Sequence, residues 1–326
     1  MKYYIKTLSV CLALTAGLTA CENGDPEFDD FGETTVYFSN QDPVRVLIMG
    51  DDGDNDTSLD KEHKCEIIAT FGGSYNGSNG KVQIAVDNSL VNNLTFADGT
   101  PVKAMPESYY TLSTNTLDFK GTFYGRTQVQ LTDAFFADPD AVKNTYVIPV
   151  VMTGQTGFSK ILTGTLSEGV AEAPRTDFSL WLVKPQDYVL YCVKYQNKYS
   201  GWWLTNHSMS TDNIEKAKQV QVTTRSLTQS VYTVTASDNS SVDLLLTFDS
   251  NENCTITSLT NGVTATGTGS WGDDTEKKAW GDKDRDGMEL NYTITLADGT
   301  KNSVSEKLVW LRSGVKQEFF EPTYNK

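Results

Sequence analysis

Two histidines, His63 and His207, stand in 326 residues, one in each half of the chain. Neither a Ser-His-Asp relay nor a multi-histidine zinc site is therefore expected. His63 ends Asp60-Lys-Glu-His63 and reads as a loop residue, whereas His207 follows Gly201-Trp-Trp-Leu-Thr-Asn206 and lies beside aromatics. Carboxylates are abundant, and two acidic loops resemble hard-cation sites. Asp282-Lys-Asp-Arg-Asp-Gly287 matches the opening of a calcium loop, in which carboxylates at alternate positions converge and glycine makes the sharp turn. The match then ends, because the twelfth position is Thr293 and Lys283 and Arg285 offset the field that would attract the ion. Asp282, Asp284 and Asp286 are the candidate ligands, but an acidic hairpin turn with compensating bases is the expectation. Asp51-Asp-Gly-Asp-Asn-Asp56 with Asp60 is the second acidic loop, and it lacks glycine at the sixth position. No metal or other cofactor is expected. Paired carboxylates for glycoside hydrolysis are defined by their separation in space. The Asp-x-x-Asp-x-Asp-x-Glu strand of chitinase-type hydrolases is not present, and the chain is not expected to be an enzyme.

Aromatics give the strongest binding signal. Tyr188, Tyr191, Tyr195, Tyr199, Trp202 and Trp203 crowd into one short stretch, and Trp271, Trp280 and Trp310 follow later. Sugar rings pack C–H faces on indole or phenol faces while their hydroxyls bond to nearby amides and carboxylates. Tyr195, Tyr199, Trp202, Trp203 and Trp280 are thus the expected glycan-binding residues. Adjacent Trp202 and Trp203 point to opposite sides of any strand, which sends one of the two to the core.

The elements that must position these side chains are strands. Met288, Leu290, Tyr292, Ile294 and Leu296 alternate with polar residues and lead into Ala297-Asp-Gly-Thr300, a hairpin turn signal that also occurs at 97–100. Similar alternation marks Val44/Val46/Ile48, Ile67/Ala69/Phe71, Val82/Ile84/Val86 and Val242/Leu244/Leu246/Phe248. Helical periodicity is confined to Thr132–Ala137, stopped by Asp138-Pro139, and to Asn213–Gln219. The pattern predicts an all-β protein of antiparallel sheets and excludes an α/β fold with crossover helices. Length and a proline-containing, non-alternating segment around Glu172-Ala-Pro-Arg175 divide the chain into a domain at 34–172 and another at 176–326. Cys65, Cys192 and Cys254 lie in apolar, strand-like runs and are expected as buried small hydrophobes.

The N-terminus sets the location. Lys2 and Lys6 precede a short apolar segment ending in Leu18-Thr-Ala-Cys21, a lipobox, so residues 1–20 are expected to be removed and Cys21 to carry the lipid anchor. The acidic stretch 21–33 reads as a tether. The full chain carries 27 basic and 42 acidic groups, a net charge of −15. Removal of the two leader lysines makes the mature chain more acidic still, and no basic run exceeds Lys277-Lys278, so nucleic acid is excluded as a partner.

The segments Asp56-Thr-Ser-Leu-Asp-Lys-Glu-His-Lys-Cys65, Ala85-Val-Asp-Asn-Ser-Leu90, Tyr109-Tyr-Thr-Leu112, Val129-Gln-Leu-Thr-Asp-Ala-Phe-Phe-Ala137 and Tyr146-Val-Ile-Pro149 resemble a domain of unknown function. That domain is common in surface lipoproteins of Bacteroidetes polysaccharide-utilisation loci and precedes some endo-β-N-acetylglucosaminidase modules. The second half, with Tyr188–Tyr199, Gly267-Thr-Gly-Ser-Trp271 and Leu308-Val-Trp-Leu-Arg312, resembles the C-terminal partner domain of such lipoproteins. The resemblance implies an immunoglobulin-like β-sandwich followed by a calycin-like (lipocalin-like) β-barrel or a second sandwich. It also implies a place beside a starch-utilisation-type uptake complex on the outer membrane, exposed at the cell surface. The expected function is non-catalytic binding of a neutral glycan, with a structural or adhesive lipoprotein acting through protein contacts as the alternative.

Overall fold

The computed structural model describes residues 30–326. The signal segment, Cys21 and most of the tether lie outside the described residues. The chain is all-β, as the alternation predicts. Its first part is one twelve-stranded sheet and its second a closed eight-stranded barrel.

The sheet runs, neighbour to neighbour, through Lys160–Ile161, Thr35–Tyr37, Lys64–Gly72, Tyr124–Leu131, Thr116–Asp118, Lys81–Val86, Tyr146–Thr156, Tyr188–Gln196, Pro43–Ile48 and Glu318–Phe319. The short strands Lys103–Ala104 and Tyr110–Leu112 attach to its flank. It curls around one apolar core that takes Val36, Leu47, Ile67, Leu117, Val129, Phe135, Ile148, Val193 and Tyr195 from strands along its whole length. The two halves of the expected immunoglobulin-like pair of sheets are continuous, joined through Thr116–Asp118, which meets Tyr124–Leu131 only at Asp118 opposite Arg126. The expectation of purely antiparallel pairing also needs correction. Pro43–Ile48 lies parallel to Tyr188–Gln196, with Val44 opposite Cys192 and Ile48 opposite Gln196. Parallel pairing needs only a long connection, not a helical one. Here the rest of the sheet supplies it.

Tyr188–Gln196 is buried on both faces. Val189, Tyr191 and Val193 enter the main core, and Tyr188, Leu190 and Cys192 enter a second core with Val147, Leu94, Phe96 and Phe320. Such a run reads as continuous rather than alternating, which is the mark of a strand covered on both sides. It hydrogen-bonds to Tyr146–Thr156, so the residues expected to open the second domain complete the first sheet instead. The change of architecture falls at 197–201, where the Asn197 side-chain amide donates to the Ser226 and Gln229 carbonyls at 2.7 and 2.9 Å. Gly201 has φ of 154°, and a Cβ there would strike the Trp310 ring at 2.4 Å.

The barrel is formed by Gly201–Thr205, Lys218–Thr224, Gln229–Thr235, Ser241–Phe248, Asn253–Ser258, Thr264–Trp280, Lys283–Thr295 and Lys301–Arg312, each antiparallel to the next and the last closing on the first. Of the two expected forms for this half, the barrel is the one found. Eight strands enclose a space just wide enough for side chains. Trp203, Tyr232, Leu244, Leu246, Leu290 and Leu308 fill it. After the barrel the chain returns to the first unit, pairing Glu318–Phe319 with Pro43–Val44 and Thr323–Tyr324 with Leu94–Thr95. No helix among the described residues is long and apolar enough to cross a membrane.

Candidate functional site

Burial separates the expected glycan-binding residues. Tyr195, Tyr199 and Trp203 are core residues and present no face to a ligand. Tyr195 donates its hydroxyl to the Phe136 carbonyl at 3.1 Å. Tyr199 stacks on Phe248 at 3.7 Å, and the Trp203 indole donates to the Tyr199 carbonyl at 3.1 Å. The pleat explains the outcome for the Trp pair, since Trp203 points into the barrel and Trp202 points out. Trp202 and Trp280 are half-buried on an outer cluster of Leu204, Ile214, Val309 and Leu311. Guanidinium groups already lie over both rings, Arg312 over Trp202 at 5.7 Å and Arg285 over Trp280 at 4.9 Å.

The acidic loops rearrange in a similar way. Asp282 and Asp284 pair with Lys278 and Lys277 at 3.7 and 2.9 Å, across the hairpin, rather than with the Lys283 and Arg285 that the sequence suggests. Extended backbone places alternate carboxylates about 6–7 Å apart, too far for 282, 284 and 286 to converge on one ion. Asp286 instead joins Asp273 and Asp274 across the hairpin, with ligand oxygens of the three within 4.8 Å of one another. Asp273 and Asp286 line a cavity of about 200 Å³ between the barrel and the first unit, opposite Asp51 and Lys61. The two acidic segments thus meet in space. Burial pushes the Asp286 carboxyl up to about 6, with Asp273 adding repulsion. The folded state then holds this proton more tightly than the unfolded chain, so the stabilisation is complete below about pH 4 and disappears as pH rises through 6. Asp286→Asn is expected to raise stability by about 1 kcal/mol at pH 7, after discounting for its partial exposure, and to have no effect at pH 4. Thermal melts at the two pH values check this.

His207 is half-exposed and has a partner the sequence did not indicate. Its Nδ1 lies 3.1 Å from Glu306 Oε2. Glu306 is fully buried inside the barrel and accepts from Tyr292 Oη at 2.7 Å, Thr205 Oγ1 at 3.2 Å and Tyr232 Oη at 3.4 Å. Glu306 sits in the alternating Ser303-Val-Ser-Glu-Lys-Leu308 run at an inward position, the one available signal for a polar residue in the core. His63 packs against Phe136, ring centroids 4.2 Å apart and the planes tilted by 42°. Cys65, Cys192 and Cys254 are buried and unpaired as expected, and burial pushes each thiol up to about 12.

The most developed open site is a groove of about 790 Å³ between the first unit and the returning C-terminal segment. Three stretches distant in sequence build it. The turn at Phe96–Thr100 is closed by Phe96 N–H to the Thr100 carbonyl at 2.8 Å and by Asp98 Oδ1 accepting from Thr100 Oγ1 at 2.6 Å. Residues 140–145 form the second wall, and residues 319–321 the third. Phe320 is buried against Phe96 with ring centroids 5.1 Å apart, which turns neighbouring Phe319 outward, 48% exposed. Asn144 Oδ1 is buried without a hydrogen-bond partner. Lys103, Lys143 and Lys194 face the groove with Asp98, Asp140 and Glu321. Asp140 pairs with Lys143 at 3.4 Å and with Lys103 at 3.8 Å. The site offers an aromatic face, an amide acceptor and balanced charge, a combination suited to a neutral polyhydroxylated ligand. A second groove of about 610 Å³ crosses the barrel exterior at Thr247, Asn253, Thr268, Ser270, Glu289 and Asn291.

Two family models match this chain. A family model for an N-terminal domain matches residues 31–159, and one for the domain of unknown function DUF5627 matches residues 189–314. No curated protein matches. A crystal structure of a protein of unknown function from Bacteroides ovatus is 32% identical, with a TM-score of 0.83, over 91% of this chain and 100% of that chain. A multidomain Bacteroides ovatus protein that includes DUF1735 is 10% identical with a TM-score of 0.37, over 85% of this chain and 92% of that one. A two-domain Bacteroides fragilis protein of unknown function is 12% identical with a TM-score of 0.31, over 89% and 85%. Scores that low carry no structural argument. The first match spans nearly the whole of both chains, and on it this protein belongs to the same family as that Bacteroides ovatus protein.

Proposed function

We propose that this protein is a lipid-anchored, surface-exposed outer-membrane lipoprotein that binds a neutral glycan without cleaving it and holds it near an uptake complex. Cys21 carries the lipid. The ligand seats in the groove between Phe96–Thr100, residues 140–145 and Phe319, rather than on the aromatic cluster at 188–203. One observation carries this reading: exposed Phe319 lines the same groove as Asn144, whose buried amide oxygen has no partner, and the three cations and three carboxylates there cancel. Balanced charge in a chain of net −15 favours a neutral ligand over a polyanion. The packed barrel interior leaves ligand binding to the outer surface.

Affinity electrophoresis of the mature protein through gels containing neutral polysaccharides tests the assignment. Phe319→Ala is expected to weaken retention about fivefold, near 1 kcal/mol, because it removes the aromatic face without touching the core. Trp202→Ala and Trp280→Ala are expected to leave retention unchanged. Retention that survives Phe319→Ala and is lost with Trp202→Ala would return the site to the barrel.

A further inference from the structure

The end of the first unit where the described chain begins carries an unusual concentration of exposed apolar side chains. Phe31 is exposed, and so are Tyr75 (56%), Phe123 (39%), Tyr124 (51%) and Ile68. Local contacts gather them. Phe31 N–H donates to the Gly73 carbonyl at 3.2 Å, and Asp30 accepts from Tyr75 N–H at 2.8 Å and from Ser74 Oγ at 3.0 Å. Phe123 stacks on Phe71 with centroids 5.6 Å apart, and Tyr124 lies opposite Thr70 in the ladder, on the outer face that Ile68 shares two residues away. The acids around them are largely balanced, Glu33 by Lys160 at 2.9 Å and Glu66 by Arg126 at 2.8 Å.

The position of this end in the fold fixes what it faces. Thr156, at the close of the long strand Tyr146–Thr156, marks the end that carries Lys81, Thr35 and Lys160. The barrel leaves from the opposite end, after Gln196, and the groove residues Lys103, Asn144 and Lys194 flank that opposite end too. Eight residues lie between Cys21 and Asp30, nine steps of chain that reach at most about 30 Å. Aromatic rings with a polar edge settle at the headgroup level of a bilayer.

We infer that Tyr75, Phe123 and Tyr124 form a membrane-contact surface, seated on the phospholipid interface from which the anchor emerges, so that the glycan groove and barrel point away from the cell. This inference rests on the reading of Cys21 as the lipidated residue. The short reach is what favours a lipid surface over a sugar for these rings.

Its test uses the full mature lipoprotein, acylated at Cys21, on vesicles of phosphatidylethanolamine and phosphatidylglycerol. Tyr75→Cys, Tyr124→Cys and, on the barrel hairpin, Asp298→Cys are each labelled with an environment-sensitive fluorophore. The three native thiols of the folded body are buried and do not react. Labels at 75 and 124 are expected to shift to the blue and to be quenched by nitroxide-bearing lipid, while the label at 298 does neither. Vesicle flotation with all three labels still in water would overturn the contact surface and leave the anchor standing. Failure to float would remove the anchor and this orientation with it. Quenching of the 75 and 124 labels by dissolved spin-labelled oligosaccharide, with no lipid effect, would overturn the inference and give these rings to a glycan.

Discussion

Trp203→Ala is expected to destabilise the barrel by about 3–5 kcal/mol, a large part of the stability of an ordinary domain. Trp203 is fully buried and is among the largest side chains of the barrel core. Its ring meets Trp310 edge-on at 5.2 Å, and its indole N–H closes on the Tyr199 carbonyl. Removing it opens a cavity beside Trp310 and leaves a buried carbonyl without its donor, two losses that add. Trp202→Ala removes a half-buried ring from the outer face and is expected to cost about 1–2 kcal/mol. Urea unfolding of the mature chain, followed by near-ultraviolet circular dichroism, separates the two. Equal costs would mean that Trp203 does not fill the barrel.

Glu306→Ala is expected to cost about 3–5 kcal/mol, more than any surface charge in the chain. Glu306 gathers the hydroxyls of Tyr292, Tyr232 and Thr205, and its loss leaves two buried phenols without an acceptor in a low-dielectric interior. Burial and the carboxylate together raise the Tyr232 and Tyr292 hydroxyls well above the ordinary phenol range, so both stay protonated donors. Tyr292→Phe deletes one donor and retains the carboxylate, and is expected to cost about 1–2 kcal/mol. Chemical denaturation of the three proteins checks the order. A Glu306→Ala variant as stable as the parent would mean that the carboxylate is dispensable to the barrel.

Much of the fold was legible because the barrel strands obey a simple alternation. Met288 to Leu296 reads inward, outward, inward, and occupies the barrel in that register, with Met288, Leu290, Tyr292 and Ile294 buried. The single turn at Asp133–Ala137 and the stop at Pro139 were equally plain. Tyr188–Gln196 was assigned to the wrong unit because its partners, 146–151 and 44–48, lie far away in sequence, and a continuous apolar run does not say which sheet covers it. Aromatic crowding at 188–203 suggested a binding face for a related reason. Large rings fill cores as readily as they line sites, and periodicity alone identified only that Trp202 and Trp203 part ways. The candidate groove was invisible in the sequence. Phe96, Asn144 and Phe319 come together only because the tail after the barrel returns to pair with Pro43–Val44 and Leu94–Thr95.

Hydrogen–deuterium exchange of the mature protein, with and without an oligosaccharide that competes for a retaining polysaccharide gel, tests the central claim most directly. Ligand is expected to slow exchange at 96–103, 140–145 and 318–321 and to leave the barrel strands unchanged. Protection confined to the barrel, around Trp202 and Trp280 or along 247–291, would contradict the assignment of the groove.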